Sequence, residues 1–151
     1  MLFRSIVRLR VGDDLAPATE LLLRFFAEEG FTTDQATIAA NVRTLAGLET
    51  CALFVAEADG ACVGVATVSL EFGVEFGWWA EMGDLYVIPE ARGRGVSLAL
   101  VAAIEDFLRQ RRIPGYQVTV TPDSGARHGL KDYYRRLGFA GDGRLLLFKR
   151  L

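Results

Sequence analysis

The stretch Leu85-Tyr86-Val87-Ile88-Pro89-Glu90-Ala91-Arg92-Gly93-Arg94-Gly95 holds the residues with the plainest chemical meaning in the chain. An extended run stops at Pro89, two glycines and two arginines follow, and an apolar helical pattern begins at once. Glycines at such a junction let backbone N–H groups approach a ligand closely. The start of the helix adds unpaired N–H donors and partial positive charge. Arg92 and Arg94 add charge-assisted donors. Together these make an anion cradle suited to a pyrophosphate, although a lone glycine pair with solvated arginines would look the same. Two familiar phosphate loops do not fit. Gly95 is followed by Val96-Ser97 where a Walker loop needs Lys and Ser or Thr, and position 98 is Leu where a dinucleotide fingerprint needs glycine.

Other reactive types are few. Glu81 and Asp84 lie on the strand that leads into the loop, and strict alternation places Glu81 with Leu85 on one face and Asp84 with Tyr86 on the other. The run Glu71 to Glu81 interleaves Phe72, Phe76, Trp78 and Trp79 with carboxylates, a surface that suits a cationic amine and equally an aromatic core or a dimer contact. His128 is the single histidine, and no Ser/His/Asp arrangement surrounds it, so a serine hydrolase is unsupported. Its position reads as a surface residue at a helix start. Cys51 and Cys62 cannot cage a metal or frame a disulfide fold, and no metal is expected. They read as small core residues in strands, with free thiols and hence a cytoplasmic location.

The elements that must position these residues form an ordered series. Ser5–Val11 reads as a strand, and Asp13 and Asp14 as caps of a helix to about Glu29, stopped by Gly30. Asp34 to Leu45 is a second helix. Leu53–Ala58 and Cys62–Leu70 are strands joined across Asp59-Gly60, a type I′ turn signal. Trp78–Val87 is a strand, about Gly95–Arg111 a long amphipathic helix, Tyr116–Thr121 a strand, Arg127–Leu137 a helix, and Arg144–Lys149 a last strand. The fold class is α/β (α+β) with a mixed sheet. The 151 residues suit one domain, 1–151, with 51% apolar residues to fill its core. With 17 basic and 19 acidic side chains, net charge −2, the chain lacks the excess positive charge of a nucleic-acid binder. The longest uncharged apolar run, Val96–Ile104, falls well short of the ~20 residues needed to cross a membrane. Met1–Arg10 lacks the apolar block of a signal peptide.

Leu85 to Gly95 resembles the hallmark Leu-Tyr-Val-x-Pro-x-x-Arg-Gly-x-Gly of the GNAT superfamily of acyl-CoA-dependent N-acetyltransferases. Tyr133-Tyr134-Arg135-Arg136-Leu137-Gly138-Phe139 is similar to that family's C-terminal aromatic-Tyr-x-x-x-Gly-Phe run. Both stand in order, and the likeness covers nearly the whole chain. It implies a mostly antiparallel sheet of six to seven strands, flanked by about four helices, with the fourth and fifth strands splayed by a bulge. It also implies acetyl-CoA as acyl donor. Arg92, Gly93, Arg94, Gly95, Val96 and Ser97 would hold its pyrophosphate, and Leu85, Tyr86 and Val87 its pantetheine arm. The N–H of Val87 or a neighbour would polarise the thioester carbonyl. Ser97 departs from the usual Gly or Ala and would alter that contact.

The resemblance also implies roles for side chains. Glu81 stands where several family members carry the base that frees the amine lone pair; others carry it at the position that is Gly83 here. Tyr134 stands at the general-acid position, and Tyr133 is the packing member. The usual Asn near 127 is replaced by Arg127, which puts that CoA contact in doubt. The acceptor would meet Glu28 and Phe31 on one wall and Trp79 on the other. The expected activity is acetylation of a primary amine on a small cationic molecule, in a ternary complex. A non-catalytic acyl-CoA-binding module and acetylation of a peptide amine are the alternatives. The exposed apolar hairpin would permit a homodimer.

Overall fold

A computed structural model describes residues 3–151. Residues 1 and 2, where the reading of Met1–Arg10 begins, lie outside it. The chain divides into two compact units, 1–118 and 119–151.

The first unit holds β1 (Phe3–Leu9), α1 (Ala16–Glu28), α2 (Gln35–Gly47), β2 (Cys51–Ala58), β3 (Ala61–Gly73), β4 (Gly77–Val87), α3 (Val96–Gln110) and β5 (Gln117–Val118). The sheet runs β1-β2-β3-β4-β5, antiparallel up to β4 and parallel between β4 and β5. Local chemistry sets most boundaries. Asp34 caps α2 by accepting from the Ala36 and Thr37 N–H groups. Asp59 and Gly60 both take positive φ, 51° and 79°, as a type I′ turn requires. α1 starts later than Asp13, at Ala16, because Pro17 in its first turn fixes the helical φ and Asp14 Oδ1 accepts the Ala16 N–H at 3.1 Å.

Alternation divides the sheet into two packed faces. Leu53, Val55, Val65 and Tyr86 meet Ala18, Leu21, Leu22, Ile38 and Val42 of α1 and α2. On the other face Gly64 lies against Leu100 and Val96 of α3, where an added Cβ would stand 3.0 Å from Leu100 Cδ1. Phe54 meets Phe107 edge-on at 6.1 Å, and the Arg111 guanidinium sits 3.7 Å over the same Phe107 ring.

β4 departs from strict alternation. Thr67 faces Asp84 and Val68 faces Met82, so Gly83 is an extra residue, a bulge. One added residue inverts the phase. Glu81 opposite Ser69, Asp84 opposite Thr67 and Tyr86 opposite Val65 share the face packed by α1 and α2, while Leu85 opposite Ala66 shares the α3 face. The expected grouping of Glu81 with Leu85, against Asp84, is corrected by this bulge. β5 is shorter than the expected Tyr116–Thr121 and pairs only with Glu81 and Met82, ending where β4 bulges.

In the second unit, α4 (Pro122–His128) and α5 (Leu130–Arg136) replace the single helix expected at Arg127–Leu137, because Gly129 turns left-handed between them at φ 60°. His128 ends α4 instead of starting a helix. Residues 144–149 pair with no strand among the described residues, and Leu145, Leu146, Leu147 and Phe148 are exposed. That run has neither alternation nor β-branched residues, the two features that mark a strand fitted to one face. Among the described residues the sheet therefore has five strands where six to seven were expected, and there are five α-helices in place of about four.

Candidate functional site

β4, the loop after it and the start of α3 form one continuous feature. The Ile88 N–H donates to the Val63 carbonyl of β3 at 2.9 Å, so alternation turns the N–H groups of Leu85 and Val87 toward the opposite edge. β5 has left that edge by Gly83, so no strand pairs with residues 83–87 there among the described residues. Beyond Val87 a short 3-10 turn (Pro89–Ala91) leads through Arg92 to Gly93 and Gly95, with φ of 72° and 79°. Both glycines need the left-handed region, and an added Cβ would meet nothing within 4 Å, so their cost of substitution is conformational. No side chain among the described residues caps the N-terminus of α3 by a hydrogen bond. Helix N–H groups and the positive end of the helix dipole thus stand at the end of an open strand edge. Val96 is buried beneath this turn, Ser97 is half-buried, and the Arg94 side chain is exposed.

Arg92 behaves differently from Arg94. Its Nε donates to the Val87 carbonyl at 2.9 Å, and its Nη2 donates to Glu28 Oε2 at 3.1 Å. The Tyr86 hydroxyl donates to Glu28 Oε1 at 2.6 Å. Both oxygens of Glu28, the last residue of α1, are therefore engaged with β4 and the loop after it. The Arg92 guanidinium also lies 5.6 Å from the Tyr86 ring centre. Burial raises the Glu28 carboxyl, but the Tyr86 and Arg92 bonds outweigh it and leave the group below its usual range. Burial, then the bond to Glu28, pushes the Tyr86 hydroxyl up to about 12. Tyr86, expected along the pantetheine arm, is 4% exposed and meets Phe25 in a tilted ring contact at 5.5 Å, so its side chain belongs to the core.

The carboxylates of β4 follow the inverted phase. Glu81, half-buried, accepts from Gln117 Nε2 of β5 at 3.4 Å. Asp84 accepts from the Thr67 hydroxyl at 2.5 Å, and burial pushes its carboxyl above the usual range despite that bond. Gln117 and Thr67 escaped the sequence reading because their partners lie 36 and 17 residues away. Gly83, whose absent side chain leaves room for the Thr67 hydroxyl at 3.1 Å, was the local signal for the bulge.

On the expected acceptor side, Phe31 follows α1, is half exposed and meets Phe26 at 6.1 Å. Trp79 stacks on Phe76 at 5.1 Å and fills the space beside Gly115, where a Cβ would overlap its indole. Phe72, Val74, Phe76 and Trp78 around the β3–β4 turn are exposed. In the second unit Tyr134 of α5 is half-buried, edge-on to Tyr133 at 5.2 Å and to Phe139 at 5.3 Å. Burial, with a smaller effect from Tyr133, pushes its hydroxyl up to about 12. Arg127 and His128 are exposed at the end of α4. No helix among the described residues is long and apolar enough to cross a membrane.

Comparison with known proteins gives one consistent result. The model of the "Acetyltransferase (GNAT) family" matches residues 15–139. Among solved structures, the aminoglycoside N-acetyltransferase AAC(6')-Iy in complex with CoA is similar at a TM-score of 0.84 and 18% identity, covering 99% of this chain and 97% of that one. The aminoglycoside acetyltransferase meta-AAC0020, from an uncultured soil metagenomic sample and in complex with trehalose, is similar at 0.77 and 19%, covering 97% and 95%. A ribosomal-protein-alanine N-acetyltransferase from Brucella melitensis biovar Abortus 2308 is similar at 0.76 and 17%, covering 97% and 100%.

Proposed function

Since the chain belongs to the acetyltransferase (GNAT) family, we propose that it moves the acetyl group of acetyl-CoA onto the primary amine of a small cationic molecule, by direct transfer in a ternary complex. The observation that carries this reading is the unpaired edge of β4 at Leu85 and Val87, running through Gly93 and Gly95 into the uncapped start of α3. Such an edge suits the amide-bearing pantetheine arm, and the loop suits a pyrophosphate. Residues 93–97 provide the backbone of the cradle, with the exposed Arg94 as its cation.

Acetyl-CoA supplies an activated acyl group, a thioester. The N–H of Val87 donates to the carbonyl oxygen of that thioester, where negative charge gathers as the amine nitrogen bonds to the carbonyl carbon. An alkylamine near pH 7 is mostly protonated, its pKa being around 10. Glu81, held by Gln117, accepts that proton directly or through a water. After attack the nitrogen passes its remaining excess proton to solvent water, and the oxyanion re-forms the carbonyl as the carbon–sulfur bond breaks. The Tyr134 hydroxyl gives a proton to the departing thiolate and regains one from solvent. A hydroxyl with a pKa of about 12 keeps that proton at every working pH.

Support for a cationic acceptor comes from the hairpin, where Glu71, Glu75 and Glu81 stand among Phe72, Phe76, Trp78 and Trp79. Two of the similar structures are aminoglycoside acetyltransferases, which agrees with a polycationic small molecule. With Glu28 engaged elsewhere, Phe31 and Trp79 remain for the acceptor walls. The test is acetyl-CoA-dependent thiol release across polyamines, aminoglycosides, amino acids and short peptides. Release with a polyamine or aminoglycoside is expected. Release only with peptides would move the acceptor to a protein amine, and binding of acetyl-CoA without release would leave a binding module.

A further inference from the structure

We infer that Glu28 is a positioning residue for the donor loop: anchored by the Tyr86 hydroxyl, it holds Arg92 as a brace that fixes where the loop leaves β4. The inference rests on the loop being the acetyl-CoA seat. Three bonds carry it, at 2.6 Å from Tyr86 to Glu28, 3.1 Å from Arg92 to Glu28 and 2.9 Å from Arg92 to the Val87 carbonyl. An arginine whose Nε and one Nη already serve the protein is set in place by them, and its remaining donors point where the brace leaves them.

The loop has need of such a brace. Gly93 and Gly95 hold left-handed conformations without any contact that crowds a Cβ position, so sterics do not fix their path. The Val87 carbonyl faces the edge that lacks a strand partner among the described residues, and Arg92 Nε donates to it. Tyr86 is set in the core between α1 and the sheet, so Glu28 is referenced to the rigid part of the first unit. The ion pair itself is exposed, with 41% of the Arg92 and 36% of the Glu28 side chain open to solvent, and a stability role for it is correspondingly small. Its consequence is geometric: residues 93–97 meet the pyrophosphate in one preset arrangement.

The experiment compares two ligands that differ in the pyrophosphate-bearing half. Dissociation constants for acetyl-CoA and acetyl-pantetheine are measured by NMR titration for the parent, Glu28→Gln, Tyr86→Phe and Arg92→Lys, alongside thermal melts. Glu28→Gln is expected to weaken acetyl-CoA about tenfold, the size of one charge-assisted bond lost, and to leave acetyl-pantetheine within about twofold. Arg92→Lys is expected to match it, because lysine keeps the charge but cannot bridge Val87 and Glu28 together. Tyr86→Phe shows the same ligand selectivity at smaller size. Equal weakening of both ligands, unchanged binding of both, or full retention of acetyl-CoA affinity by Arg92→Lys would overturn the brace. Should Glu28→Gln not fold, the Arg92→Lys and Tyr86→Phe pair decides alone. A parent that binds acetyl-pantetheine but not acetyl-CoA, or neither, overturns the reading of the loop as the donor seat and the brace with it.

Discussion

Single side chains divide into those that move protons and those that hold position. In the proposed mechanism Tyr134 is the proton donor, and with burial pushing its hydroxyl up to about 12 it is expected to add no falling limb to a rate profile below pH 10. Tyr134→Phe is expected to lower kcat by about 10- to 100-fold, at the mild end for a general acid, because a thiolate with a pKa near 8.5 is an easy leaving group. Steady-state kinetics of that variant from pH 6 to 10 check both statements. Asp84 is the opposite case, a carboxyl raised by burial and eased only by Thr67. A raised carboxyl contributes stability below its unfolded value of 3.8 and loses it as pH rises through the folded value. The melting temperature of Asp84→Asn relative to the parent is therefore expected to be higher at pH 7 than at pH 3.5, read by thermal melts at the two pH values. The types and spacing of Glu81, Arg94 and Tyr134 were legible in the sequence. The face that Glu81 shares with Asp84 was not, because one extra residue at Gly83 inverts the phase between them.

At the scale of elements, the loop from β4 to α3 was the part most openly written, since Pro89, Gly93 and Gly95 each punctuate the backbone for a physical reason. Gly95→Ala places a Cβ in the left-handed region, at roughly 1–2 kcal/mol. A fall of several degrees in melting temperature and about tenfold weaker acetyl-CoA binding are expected, read by a thermal melt and a titration. The long helices were legible from their apolar stripes, and α2 also from its Asp34 cap. β5 was overextended because its pairing ends where β4 bulges, and Glu81 and Gln117 lie 36 residues apart, beyond the reach of a local pattern. Residues 144–149 show the reverse difficulty. Apolar content alone suggested a strand, and neither alternation nor a pairing partner is present.

The whole molecule carries a formal charge of −2, and Glu71, Glu75 and Glu81 stand among aromatics along the β3–β4 hairpin. A cationic acceptor would be drawn there through long-range attraction, which salt screens. The kcat/KM for a polyamine or aminoglycoside is expected to fall several-fold as ionic strength rises from about 10 to 150 mM, over which the Debye length shrinks from ~30 to ~8 Å. A salt series with a neutral amine as control checks it. The central claim concerns the donor, and direct titration of acetyl-CoA into the protein tests it most directly. A single-site isotherm in the micromolar to sub-millimolar range, weakened in Gly95→Ala, is the predicted result. An absence of binding by the folded parent, or an isotherm unchanged in Gly95→Ala, would contradict it.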